Sequence, residues 1–130
     1  MRFNADDHLK FARDVDPDAQ TAGAKNGAGV DCRGYEYATF CVQLGTLGTS
    51  ATVDFKVQDS ADNSTFADIS GATITQQTQA GTDASDSVVQ VTVYCPAQAR
   101  YLRGVLTVGT ATSDAGSVVV LSNPKVAPAA

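Results

Sequence analysis

His8 is the only histidine in this chain of 130 residues. It stands in the charged stretch NADDHLKFARDVD, with no serine or cysteine nearby in sequence for an imidazole to activate. Serine–histidine or cysteine–histidine catalysis therefore has no base anywhere in the remaining sequence. The carboxylates offer a second possibility. Asp54, Asp59, Asp62 and Asp68 crowd one short stretch, VDFKVQDSADNSTFADI, where Asp59, Asp62, Asn63 and Asp68 present oxygens of the kind calcium takes. Their spacing does not follow D-x-[DN]-x-[DN]-G, and no bidentate glutamate comes after them. Aspartate and asparagine are also what a tight turn selects, because their side chains bond to their own backbone and tolerate left-handed conformations. The turn is the preferred reading. Cys32, Cys41 and Cys95 lack a C-x2-C pair and are an odd number, so they are expected to be reduced, structural thiols. GTLGTS is rich in small residues but has no lysine with which to hold a phosphate. Arg100 and Arg103 flank Tyr101, an arrangement suited to cation–π packing at a sheet edge or to a binding face, with packing preferred. The expectation is a protein without catalytic residues, cofactor or metal.

A net charge of −5 and an isoelectric point near 4.5 argue against a nucleic-acid partner, which requires a basic face to displace counterions from phosphates. No apolar run is long enough for a membrane-spanning helix. The first residues do not read as a signal peptide, since charges interrupt every apolar pair, and the expectation is a protein used without export.

The elements that must position these side chains are strands. Valine, threonine, alanine, serine, aspartate and glycine are abundant, tryptophan is missing, and Glu36 is the only glutamate. In YEYATFCVQL, Ala38, Phe40, Val42 and Leu44 share a face. Val53, Phe55 and Val57 alternate with Asp54, Lys56 and Gln58, and Val89, Val91 and Val93 repeat the pattern. In RYLRGVLTV, Leu102, Leu106 and Val108 oppose Tyr101, Arg103 and Val105. The last run, VVVL, suits a strand near the centre of a sheet, with Val118 and Val120 assigned to the core. Between Ile69 and Val88 the chain is polar, predicting one short edge strand and a loop. These strands predict an all-β fold, a jelly-roll-like β-sandwich with an extended N-terminal arm. The expected divisions are an arm and linker over 1–29, a sandwich body over 30–123 and a C-terminal tail over 124–130. Within the arm, HLKFARDV suits either an extended strand or a short helix capped by Asn4 or Asp6. Pro17 ends either one, and TAGAKNGAG follows as a small-residue linker.

The hairpin VDFKVQDSADNSTFADI, followed by VVQVTVYCPAQARYLRGVLTVGTATSDAGSVVVL, resembles the small head-decoration, or cement, proteins of tailed bacteriophages. Those proteins carry a strand ending in a Q-D/E-S-x-D turn, then an R-Y-x-R strand, a turn and a valine-rich final strand. The resemblance spans about residues 35 to 122. It implies a non-enzymatic structural protein on the capsid exterior of a virion, assembled in the host cytoplasm. Its implied partner is the major capsid protein, and it would itself be a homo-oligomer, dimer or trimer. Galactose-binding-like sandwiches share the hairpin and an R-Y-I-R strand, which makes a carbohydrate-binding module, or a virion adhesion domain, the alternative. Asn63 and Phe66 depart from the glycine and tryptophan usual there. Tyr35, Tyr37, Tyr94 and Tyr101, besides phenylalanine, would have to supply the aromatic sugar platform.

The arm holds the expected partner-binding residues, Phe3, Leu9, Phe11, Arg13 and Val15. A solvated tail has no use for so many apolar side chains, whereas a strand laid on a neighbouring subunit does. The competing reading has Leu9 and Phe11 cover an open edge of their own sandwich.

Overall fold

The computed structural model describes residues 4–81 and 83–125. Where the sequence alternates, the chain is extended. The strands are β1 (Leu9–Arg13), β2 (Asp18–Gln20), β3 (Gly23–Asn26), β4 (Val30–Asp31), β5 (Tyr35–Leu44) and β6 (Thr52–Ser60). They continue with β7 (Ala67–Thr73), β8 (Gln77–Thr78), β9 (Ser87–Tyr94), β10 (Tyr101–Gly109) and β11 (Ser113–Pro124). One turn of helix, α1 (Ala5–His8), precedes β1, and its N-cap Asn4 accepts a hydrogen bond from the Asp6 N–H. Of the two readings of HLKFARDV the strand holds, over Leu9–Arg13, and the helix capped by Asn4 is a single turn that reaches this stretch only at His8.

All pairings are antiparallel and form two sheets. One runs β1-β11-β5-β9, with β2 also on β11; the other runs β3-β10-β6-β7, with β4 on β10 and β8 on β6. Their inner faces enclose the core. Phe40, Val42 and Leu44 meet Val53, Phe55, Val57, Leu102, Leu106 and Val108, all of them buried. Phe40 and Phe55 stand ring to ring across the layers, with centroids 6.0 Å apart. Each such side chain contributes about 1.5–3 kcal/mol on burial. The fold is the expected all-β sandwich.

Two expectations are corrected here. Val118 and Val120 do not belong to the core: Val119 and Leu121 are the buried pair, and Val118 is 46% exposed. Three consecutive valines carry no alternation, so pairing sets the register, with Val119 opposite Phe40 and Leu121 opposite Ala38. β11 does lie inside its sheet, between β1 and β5, as a run of this kind predicts. Second, the stretch 1–29 is not an arm separate from a body. β1 and β2 pair with β11, and β3 pairs with β10, so this stretch supplies strands to both sheets. Short strands separated by Pro17 and by glycines gave no long alternation to read. Of the expected tail, Pro124 ends β11 and Lys125 donates its backbone N–H to Gly34 O at 2.8 Å; the remainder lies outside the described residues. The polar stretch after Ile69 is strapped down, with the Leu47 N–H on Ser85 Oγ and the Asp86 N–H on Gly45 O.

Phe55→Ala is expected to lower unfolding free energy by about 3–5 kcal/mol, because its ring spans the middle of the core. Urea denaturation checks this, and a loss under about 1 kcal/mol would mean that the ring contributes little to packing.

Candidate functional site

The outer face of the β1-β11-β5-β9 sheet follows residue by residue from its register. One row runs Leu9, Ser122, Tyr37, Tyr94; the next Phe11, Val120, Thr39, Thr92. Below them come Arg13, Val118, Cys41, Gln90 and then Gly116, Gln43, Val88. Among these positions the one charged side chain is Arg13, at the sheet edge, and it pairs with Asp16 at 3.5 Å. The exposed large hydrophobic side chains among the described residues are Phe11 (66%), Val88 (64%), Tyr94 (47%), Val118 (46%) and Tyr37 (37%). All five stand on this face. Tyr37 and Tyr94 pack ring to ring at 5.5 Å, and the Thr39 and Thr92 hydroxyls bond at 3.0 Å. The face therefore satisfies part of its own polar inventory and leaves its apolar groups outward. A shallow groove of about 520 Å³ opens on it, walled by Pro17, Ala19, Cys41, Val88 and Val118 together with Asp18 and Asp114. Aromatic and aliphatic groups with charge excluded from the centre are the composition of protein–protein contact surfaces.

The structure sorts the predicted partner-binding residues. Leu9, Phe11 and Arg13 lie on this face, held by their own β11. Val15 is 4% exposed and belongs to the core, so it is not a contact residue. Phe3 lies outside the described residues.

Behind this face lies a residue the sequence reading passed over. Asp14, next after β1, turns its carboxylate into the space between the sheets and is 4% exposed. It accepts hydrogen bonds from the Gly104 N–H on β10 at 2.9 Å and from the Ser117 hydroxyl on β11 at 2.7 Å. The Val15 N–H in turn donates to Ser117 Oγ at 3.0 Å. Glycine makes the room: a Cβ on Gly27 would stand 1.7 Å from Asp14 Oδ1, and one on Gly104 2.2 Å from Oδ2. Burial raises the pKa of Asp14 above its ordinary 3.8, opposed by the Gly104 and Ser117 hydrogen bonds and by the charge of Arg103. In sequence Asp14 looks like any solvated acid of a charged stretch; the glycines that admit it are 13 and 90 positions away.

The hairpin acids disperse instead of converging. Asp62 accepts from the Ser60 hydroxyl and from the Ser64 and Thr65 N–H groups, which folds the turn and holds its pKa low. Asp59 accepts the Ala99 N–H at 2.9 Å, Asp68 meets Lys56 and Gln58, and Asp54 meets Gln76. Asn63 takes a positive φ of 59°. Among the described residues no three metal-ligating side chains cluster. Arg100 stacks on Tyr101 at 5.1 Å and Arg103 on Phe66 at 4.1 Å, the packing arrangement expected of them. The four tyrosines do not make a sugar platform. Tyr35 is buried, Tyr37 and Tyr94 are on the outer face just described, and Tyr101 lies on the other sheet beneath Arg100.

Fold and surface together define an antiparallel β-sandwich that gathers its exposed large hydrophobic side chains, among the described residues, on one sheet face. The chain belongs to the Bbp16 family, whose family model matches residues 16–121. No curated protein matches it. A solved structure reported under "Bacillus endospore appendages form a novel family of disulfide-linked pili" is similar at 15% identity, over 95% of this chain and 97% of that one, with a TM-score of 0.46. The family match corrects the head-decoration expectation: the family that the chain belongs to is Bbp16, and the expectation rested on a motif resemblance alone. Capsid binding, the major capsid protein as partner, the dimer or trimer on a capsid, and the location on a virion assembled in a host cytoplasm are withdrawn. So is the carbohydrate-binding or adhesion alternative, for which the tyrosines are wrongly placed.

Asp14→Ala is expected to cost about 2–4 kcal/mol, since it leaves the buried Gly104 N–H and Ser117 hydroxyl without their acceptor. Asp14→Asn, which cannot ionise, isolates the pH dependence. A carboxyl with a raised folded pKa contributes fully below its unfolded value near 3.8 and loses that contribution as pH rises through the folded pKa. The stability of the native chain relative to Asp14→Asn should therefore fall with rising pH across that window and then level. Parallel urea melts from acid to neutral pH check it; a difference that grows with pH would show the opposite shift.

Proposed function

We propose that this protein is a non-enzymatic structural subunit that assembles with copies of itself through the outer face of the β1-β11-β5-β9 sheet. The observation that carries the reading is the gathering of Phe11, Tyr37, Val88, Tyr94 and Val118 on one face whose grid contains a single charged side chain. Charge selects a second copy over an oppositely charged partner. Two chains of net charge −5 repel, and they approach at least cost through the rows that run from Leu9 to Tyr94, Phe11 to Thr92 and Arg13 to Gln90, which hold no acid. A face that meets its own image under two-fold symmetry needs only self-complementarity, which aromatic and β-branched side chains on a twisted sheet provide. Tyrosine adds large contact area with few rotatable bonds, and its hydroxyl remains able to bond at the rim.

Sedimentation of the full chain over a concentration series tests this. The native protein should form a concentration-dependent oligomer. Val118→Asp, which places a charge at the centre of an already exposed position, should weaken assembly about 100-fold or more, near 3 kcal/mol, without lowering the melting temperature. Alkylation of Cys41, in the same row as Val118, should slow as the oligomer forms. A native chain that stays monomeric throughout, or a Val118→Asp variant that assembles as the native chain does, would defeat the proposal.

A further inference from the structure

A second constellation lies at the end of the sandwich where β9 crosses to β10. Cys32, just after β4, and Cys95, just after β9, are separated by more than sixty positions in sequence and brought together by the fold. Both are buried free thiols, close enough for each to shift the other's pKa. They share the wall of a pocket of about 320 Å³ with Arg33, Arg100 and Lys125, a volume at the lower end of small-ligand sites. The backbone around them is held from several sides. The Cys32 N–H donates to Arg100 O at 3.0 Å, and the Cys32 Sγ lies 3.1 Å from the same oxygen. Arg100 clamps Asp31 at 2.7 Å, the Ala99 N–H is tied to Asp59, and the Gln98 N–H to Cys95 O.

We infer that Cys32 and Cys95 form a dithiol that small anionic disulfides of the glutathione class oxidise to an intrachain disulfide. In the first step the Cys32 thiolate attacks one sulfur of the small disulfide, breaking its S–S bond. A mixed disulfide forms on Cys32, and one small thiolate leaves. In the second, Cys95 gives up its proton and attacks Cys32 Sγ, forming the Cys32–Cys95 bond and releasing the second small thiol. The two cysteines lose two electrons and two protons, and the small disulfide gains them. The environment divides the roles. The neighbouring Cys95 side chain lowers the pKa of Cys32, whereas Cys32 together with burial raises the pKa of Cys95. Arg33 and Lys125 on the pocket wall draw in a carboxylate-bearing disulfide. Cys41 shares none of this, since it projects from the outer face of the other end of β5.

The folded full-length protein is incubated with glutathione disulfide, its remaining thiols are alkylated, and the digest is mapped by mass spectrometry. A peptide joining Cys32 to Cys95, two hydrogens lighter than its reduced components, is expected from the native chain. Cys95→Ser should instead stop with glutathione on Cys32, and Cys41→Ser should cross-link as the native chain does. Glutathione uptake at Cys95 in Cys32→Ser should be about tenfold or more slower than uptake at Cys32 in Cys95→Ser. The native map needs no variant, so loss of folding in a variant does not shield the inference. Cross-linking that appears only in denaturant, or oxidation confined to Cys41 or to bonds between chains, would overturn it.

Discussion

A buried carboxylate with partners on both layers sets the terms for the rest of this sandwich. Asp14 accepts one hydrogen bond from β10 and one from β11, and so fixes the spacing and offset of the two sheets at the edge where the first strand enters. A carboxylate out of water is costly unless donors meet it, and the two donors here offset part of that cost while burial still raises its pKa. The geometry works in one arrangement only. β1 must run along β11 so that Asp14 falls at the gap, and β10 must present a residue without a side chain. Apolar packing alone would allow the layers to slide; a directional polar contact between them does not.

That constraint explains why the first strand belongs to the fold while also building the contact face. β1 leaves Asp14 and Val15 inside and turns Leu9, Phe11 and Arg13 outward. The same five-residue strand thus closes one edge of its sheet and widens the apolar face by a full column. An unpaired β11 edge would offer backbone donors and acceptors to any neighbour, a hazard that β1 and β2 together remove from most of its length. Assembly through a face, with the edge covered, is the safer of the two ways a sheet can meet another chain.

Much of the architecture was legible in the residues. β5 and β6 alternate cleanly, and a strand with one dry face cannot hide its register. The hairpin after β6 was legible for the same reason, because Asp62 and Asn63 are residues that tight turns require. What escaped was everything set by partners distant in sequence. The three consecutive valines of β11 offer no period, so only their pairing with β5 decided that Val119 faces inward and Val118 outward. Strands of three or four residues such as β2 and β3 lie below the length at which alternation means anything. Asp14 carries no mark of burial, since its donors come from positions 104 and 117. The apolar face was half visible: Leu9 and Phe11 stood out, whereas Val88, Tyr94 and Val118 joined them only when the strands were laid side by side. The motif resemblance, in turn, rested on a hairpin and a strand that sandwiches of more than one family build, so it marked the architecture more than the family.

The room made for Asp14 also shapes how this sequence can drift. A methyl group at Gly27 or at Gly104 would collide with one or the other carboxylate oxygen, and at Gly104 with the Phe55 ring as well. Loss of the carboxylate, for its part, leaves two donors stranded and a hollow that the glycines cannot fill. None of the three positions is free to wander while the other two stand. Across descendants they should therefore be inherited as a single character: an acid together with two glycines, or a different trio altogether, with the mixed combinations weeded out.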